Sequence, residues 1–207
     1  MVSTTARPAS AIRWTLPAAR AIPALLIAVV ITFSPDHSAA FGLSVFGVFA
    51  LADAALLVTL VRRAVAHAGL RRLLLIRAGI TAVVGGMALA LLGGGPAALL
   101  FLLSAWAGVV AVVELYAAVR NGSRVDGAKD LFFTGAASAV LAVVTLALPA
   151  DLHQGFQGTQ GGGVLTSSIV GVGVLGAWAA VTGLFLAIGG LSLKPAPLGS
   201  RSSGRSA

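Results

Sequence analysis

Long apolar runs alternate with short polar breaks along the whole chain. Six runs, at roughly residues 18–34, 40–61, 73–92, 97–119, 131–149 and 166–190, carry almost no charged side chain. They are apolar on every face and not along one stripe, as a helix lying half in water would be. A bilayer core is about 30 Å thick, so a spanning helix needs about 20 such residues. Barrel strands alternate apolar and polar positions, which these runs do not. An unpaired backbone amide costs several kcal/mol in hydrocarbon, and a helix pairs its own. The pattern therefore predicts an all-α polytopic membrane protein with six transmembrane helices. Ser34-Pro35-Asp36-His37 and Gly93-Gly94-Gly95-Pro96 read as tight turns, because Gly and Pro break helices sterically. The segment after Pro149 holds Gly155, Gly158, Gly161, Gly162 and Gly163, and is expected to be a mobile loop. The last dozen residues, rich in Ser, Pro and Gly, are expected to form a disordered tail.

Composition agrees. Of 207 residues, 58% are hydrophobic and 10% charged, against about 25% charged in soluble domains. A net charge of +8 would suit nucleic acid, but the cations lie between apolar runs and form no single patch, so that partner is excluded. Their placement sets the expected topology. Arg7, Arg13 and Arg20 precede or enter the first run. Arg62, Arg63, Arg71, Arg72 and Arg77 flank the second loop, Arg120, Arg124 and Lys129 the fourth, and Lys194, Arg201 and Arg205 follow the last run. The first, third and fifth loops have no Lys or Arg. Positive loops stay inside, so both termini are expected in the cytoplasm of a bacterial plasma membrane. The cytoplasmic arginines would attract anionic lipid headgroups. Without cysteine, there is no thiol catalysis and no cysteine-held metal. A rival reading of the N-terminus exists: a basic start, the apolar stretch Ala21–Phe33 and Ser38-Ala39-Ala40 resemble a cleaved signal peptide.

The chain also repeats. An offset of 57 residues, the separation of Arg20 from Arg77, carries Arg20 onto Arg77 and then onto Thr134. It carries Phe49 onto Trp106 and Arg63 onto Arg120. Trp178 takes the place of Trp106 in the third copy, after an insertion in the outer loop. A two-helix unit returns the chain to its starting side, so successive units share one orientation, related by an axis along the membrane normal. Three parallel two-helix repeats are expected, at 18–63, 73–120 and 131–190. They lie within a membrane domain 18–190, between an N-terminal segment 1–17 and a tail 191–207. The first run belongs to this repeat, which argues for its retention.

The repeat pattern resembles a known family. Arg77-Ala78-Gly79 enters a helix, the small Gly85 follows, and Pro35 or Pro149 closes the span. Then come Ala105-Trp106-Ala107, the small Ala111 and Glu114. This resembles the HdeD-like family of bacterial acid-resistance membrane proteins, over roughly residues 18–190. The chain departs from the pattern at Thr134, at the displaced second Pro and in the expanded third loop. The resemblance implies six spans and a role in acid or envelope stress, with no established reaction.

Asp53 and Glu114 are the acidic residues inside the apolar runs. Ionisable groups at that depth are costly, and each needs a partner. Counted from the turns near residues 37 and 95, Arg20 and Asp53 lie at nearly equal depth, and so do Arg77 and Glu114. Two ion pairs are expected, Arg20–Asp53 and Arg77–Glu114. They could lock the hairpins or form a proton-responsive pathway. In the outer loops, Asp36-His37 and Asp151-Leu152-His153 place carboxylates beside imidazoles. Such sets can bind metal or sense pH; polar residues in a wet turn are the plainer reading, and no metal is assigned. His67, among cytoplasmic arginines, is expected to be solvated. Gly158-Thr159-Gln160-Gly161-Gly162-Gly163 lacks the Lys-Ser/Thr of a phosphate loop. Trp14 reads as an interface anchor. Gly135–Ala139 and Gly173–Ala177 have the small-xxx-small spacing of close helix contacts. No catalytic constellation and no cofactor motif appears, so a non-enzymatic membrane protein is expected. The alternative is a small transporter or proton-linked channel using Asp53 and Glu114. The lipid bilayer is the expected partner, and a homo-oligomer a possible one.

Overall fold

The computed structural model describes residues 15–65, 67–122, 128–158 and 161–192. Trp14, several flanking cations (Arg7, Arg13, Arg124, Lys194, Arg201 and Arg205) and the tail expected to be disordered lie outside these. Among the described residues, six helices form: α1 Thr15–Phe33, α2 Ala39–Ala64, α3 Ala68–Ala90, α4 Gly95–Asn121, α5 Ala128–Ala147 and α6 Ser167–Ser192. All six are long and apolar enough to cross a membrane. They overrun the expected spans at the Arg-bearing ends, where α2 carries Arg62 and Arg63 into its last turn. Cations there meet the negative end of the helix dipole.

The ends have local causes. Ser38 caps α2 by accepting the Phe41 amide, and Asp36 accepts the Ser38 amide at 2.8 Å. His67 is exposed and caps α3, its ring Nδ1 accepting the Leu70 amide. Gly95 starts α4 at φ +65°, a conformation open to glycine, directly before helix-compatible Pro96.

One expectation fails. The segment expected to be a mobile loop forms an antiparallel hairpin, β1 His153–Gly158 with β2 Gly161–Thr166, with His153 opposite Thr166. Glycines carry no strand preference, so composition hid it. Its last strand runs directly into α6, and the Ser167 amide donates to Leu152 O at 3.3 Å. That closed geometry ties the hairpin to the helix.

The strongest helix pairings are α1 with α6, α2 with α3 and α4 with α5. The even helices meet at the centre. A Cβ on Gly42 of α2 would touch Leu99 of α4 and Val172 of α6. Further along, Phe49, Trp106 and Trp178 of the same three helices meet in turn. The same order along each helix means α2, α4 and α6 run in one direction, with α1, α3 and α5 returning.

Polarity is inverted relative to a soluble protein. The exterior carries Ile22, Leu26, Val48, Ile76, Val83, Phe101, Val112, Val140 and Leu184, all large and exposed. The interior holds charge. One apolar cluster, centred on Leu43, Phe46, Leu103 and Trp106, fills the half towards the turns. A second, with Leu57, Val61, Leu70, Leu74 and Leu131, fills the half towards the Arg-rich ends. The polar groups lie between them.

Candidate functional site: a buried quartet of charges

Four helices each deliver one charge to the layer between the clusters. Arg20 comes from α1, Asp53 from α2, Arg77 from α3 and Glu114 from α4. Their exposures are 8%, 2%, 1% and 0%. Arg20 Nε donates to Asp53 Oδ1 at 3.0 Å, and its Nη2 to Glu114 Oε1 at 3.2 Å. Arg77 Nη1 donates to Asp53 Oδ2 at 3.0 Å. Arg77 Nε lies 3.1 Å from Glu114 Oε1, close enough to pair but not aligned as a hydrogen bond. Each arginine thus touches both acids.

This differs from two separate pairs. The depth count placed the four at one level, but could not say how the hairpins turn about the axis. Two residues of opposite charge at one depth always look like a pair in sequence. The structure joins them into one neutral unit, two cations and two anions. A lone charge at a helix centre costs about 2.5–3.5 kcal/mol on insertion scales. Mutual neutralisation removes most of that, and the apolar clusters above and below keep water from competing.

The acids are not equally satisfied. Asp53 uses both oxygens. Glu114 shares Oε1 between two arginines, and its buried Oε2 has no hydrogen-bond partner among the described residues. Beside it lies a small cavity of about 10 Å³, walled by the quartet and by Ala24, Phe49, Thr134, Ser138, Trp178, Thr182 and Leu186. Thr134 lies 57 residues beyond Arg77, as Arg77 lies beyond Arg20, and brings a hydroxyl to the cavity wall. A neighbouring cavity of about 20 Å³ shares Arg20, Thr134 and Leu186 with the first, and extends to Leu16, Pro17 and Asp130.

Asp130 escaped the sequence reading. It sits one residue before the expected fifth span, outside the apolar run. The helix begins earlier, at Ala128, and makes Asp130 a half-buried first-turn acid. A capping preference for acids in the first turn was the available signal.

An aromatic tier separates the quartet from the turn side. Phe49, Trp106 and Trp178 stand mutually edge to face, with ring centroids 5.3–6.0 Å apart. Trp106 Nε1–H donates to Thr81 Oγ at 3.2 Å. These rings pack the core, and Phe46 adds a further edge contact to Trp106 at 5.1 Å.

The outer-loop residues do not converge. His153 Nδ1 lies 2.9 Å from Asp151 O, and Asp36 is engaged with Ser38. An open dent between the turns and β2 includes His37 but none of Asp36, Asp151 and His153. Among the described residues, no group of three or more His, Asp or Glu could hold a metal.

Gly135 brings α5 against α4: a Cβ there would sit 3.1 Å from the Leu115 amide and 3.2 Å from Glu114 Cβ. Gly173, by contrast, has nothing within 4 Å. Of the two small-residue spacings, one therefore has its glycine at a helix contact and the other does not.

Fold and site together define a multi-pass helical membrane protein with a buried intramembrane ion quartet. No family model, curated protein or solved structure matches the chain.

Proposed function

We propose that this chain is a small proton-linked transporter or channel of a bacterial inner membrane, with Asp53 and Glu114 as its proton-responsive groups. One observation carries the reading: Glu114 Oε2 is buried with no hydrogen-bond partner among the described residues, and Glu114 lines a polar-walled cavity. A network built only to lock helices gains by satisfying every acceptor, since a buried unsatisfied one costs about 1–3 kcal/mol. A free carboxylate oxygen is where a proton can add while both arginine contacts to Oε1 persist. Protonation would turn a neutral quartet into one of charge +1, and so loosen its hold on the arginines.

The test is acid-driven flux in proteoliposomes. Wild type is expected to conduct or exchange protons across a range of about pH 4 to 8. Asp53→Asn is expected to cut the rate about tenfold or more, equal to about 1.4 kcal/mol of barrier. Absence of flux in wild type across that range would remove this reading. A second reading then stands: a non-enzymatic HdeD-like protein of acid or envelope stress. Its support is the sealing of the quartet between two apolar clusters.

The architecture belongs to the same proposal. Three parallel two-helix repeats account for the cyclic pairing of α1 with α6, α2 with α3 and α4 with α5, and for the meeting of Phe49, Trp106 and Trp178. The cation bias puts the Arg-rich ends in the cytoplasm. Gly155 is exposed, with open space about it, and the chain has no cysteine. Gly155→Cys should therefore react with an impermeant maleimide in spheroplasts before lysis. Labelling that requires lysis would reverse the topology.

A further inference from the structure

The third repeat copy breaks a pattern that the second copy keeps. In the second, Trp106 Nε1–H donates to Thr81 Oγ. The offset of 57 residues carries Thr81 onto Ser138, and Trp178 holds the place of Trp106. There the equivalent bond is missing: Ser138 Oγ and Trp178 Nε1 are both buried with no hydrogen-bond partner among the described residues. Serine lacks the threonine methyl, and Ser138 is among the residues that line the cavity beside Glu114. Ser138, Trp178 and Glu114 all line that one cavity.

Its walls specify the occupant. Trp178 Nε1–H can only donate and Glu114 Oε2, when ionised, can only accept. Ser138 Oγ can do either. Thr134 and Thr182 spend their hydroxyl protons on their own helices, donating to Asp130 O at 2.9 Å and Trp178 O at 2.6 Å. Their lone pairs remain as acceptors. A water needs about 10–15 Å³ of room and 2–4 polar partners; the cavity offers about 10 Å³. A metal cation is disfavoured by the indole N–H and by Arg77 on the same wall.

We infer that this cavity is a one-water site, and that its water delivers a proton to Glu114 Oε2. This rests on the proton-linked reading above and locates its loading step. The water, protonated from the Asp130 side, gives its proton to an Oε2 lone pair and is left neutral. The new O–H can then donate back to the water. The charged groups facing Glu114 are Arg20 from α1, Asp53 from α2 and Arg77 from α3. The packed faces of α5 and α6 contribute Thr134, Ser138, Trp178 and Thr182, with Asp130 beyond the adjoining cavity.

Infrared difference spectroscopy of the full-length protein in membranes, taken on acidification, reads this without transport. A protonated-carboxyl band should appear in wild type, vanish in Glu114→Gln and persist in Asp53→Asn. Where Glu114→Gln fails to accumulate, the charge-neutral Arg77→Gln, Glu114→Gln protein carries the assignment. Ser138→Ala and Trp178→Phe should each shift the band upward, as hydrogen bonds are lost. A water O–H band sensitive to heavy-oxygen water should be lost in both. No acid-induced band, a band that Glu114→Gln leaves unchanged, or a band unmoved by both cavity variants would each overturn the inference. Flux without a Glu114 band defeats this site and leaves transport standing; a band without flux does the reverse.

Discussion

Arg77→Gln is expected to reduce the amount of folded protein and lower its stability. Arg77 is 1% exposed and touches both acids. Its loss leaves an uncompensated negative charge between two apolar clusters. Removing one partner of a buried pair costs about 3–5 kcal/mol, against a total stability of about 5–15 kcal/mol. Size-exclusion profiles of fluorescently tagged protein, with unfolding in detergent, would measure it. The double variant Arg77→Gln, Glu114→Gln restores neutrality, and should be no worse than either single. The quartet makes a stricter demand than separate pairs do. Arg20 and Glu114 share a hydrogen bond of 3.2 Å, so Arg20→Gln and Glu114→Gln should also couple, by about 0.5–3 kcal/mol. Two independent pairs would give no coupling there. Additive losses in both cycles would refute a joined network.

Gly190→Val is expected to be nearly as damaging, for a steric reason. Gly176, Gly183 and Gly190 recur every seven residues on α6 and form a groove against α1. A Cβ at Gly190 would sit 2.9 Å from the Ala18 amide, and one at Gly183 would sit 3.1 Å from the Leu25 amide. Backbone cannot step aside as a side-chain tip can, so α1 must retreat. Overpacking alone costs about 1–3 kcal/mol. Here it should also lengthen the contacts of Arg20, which α1 carries. Gly173→Val, on the same helix with nothing within 4 Å, is the control and should melt within about 0.5 kcal/mol of wild type. Valine is a better helix former than glycine, so equal losses at Gly173 and Gly190 would mean that contact with α1 is not what makes Gly190 sensitive.

Both expectations show where local pattern stops. The seven-residue glycine spacing is plain in sequence, yet Gly173 and Gly190 look alike in so small-residue-rich a helix. Which face meets a neighbour is settled by packing. Asp130 was hidden by a boundary error of three residues at the start of α5. The β-hairpin was hidden because paired backbone, not side-chain preference, forms it.

Residue order alone determined the six spans, because a helix pairs its own backbone and a run of about 20 apolar side chains is what makes its place in lipid favourable. It also set the shared depth of Arg20, Asp53, Arg77 and Glu114, because rise per residue is fixed along a helix. Tertiary structure decided what depth cannot: the rotation of each helix about its axis. That rotation turned two expected pairs into one quartet, left one oxygen of Glu114 without a hydrogen-bond partner among the described residues, and brought Ser138 and Trp178 to the same cavity.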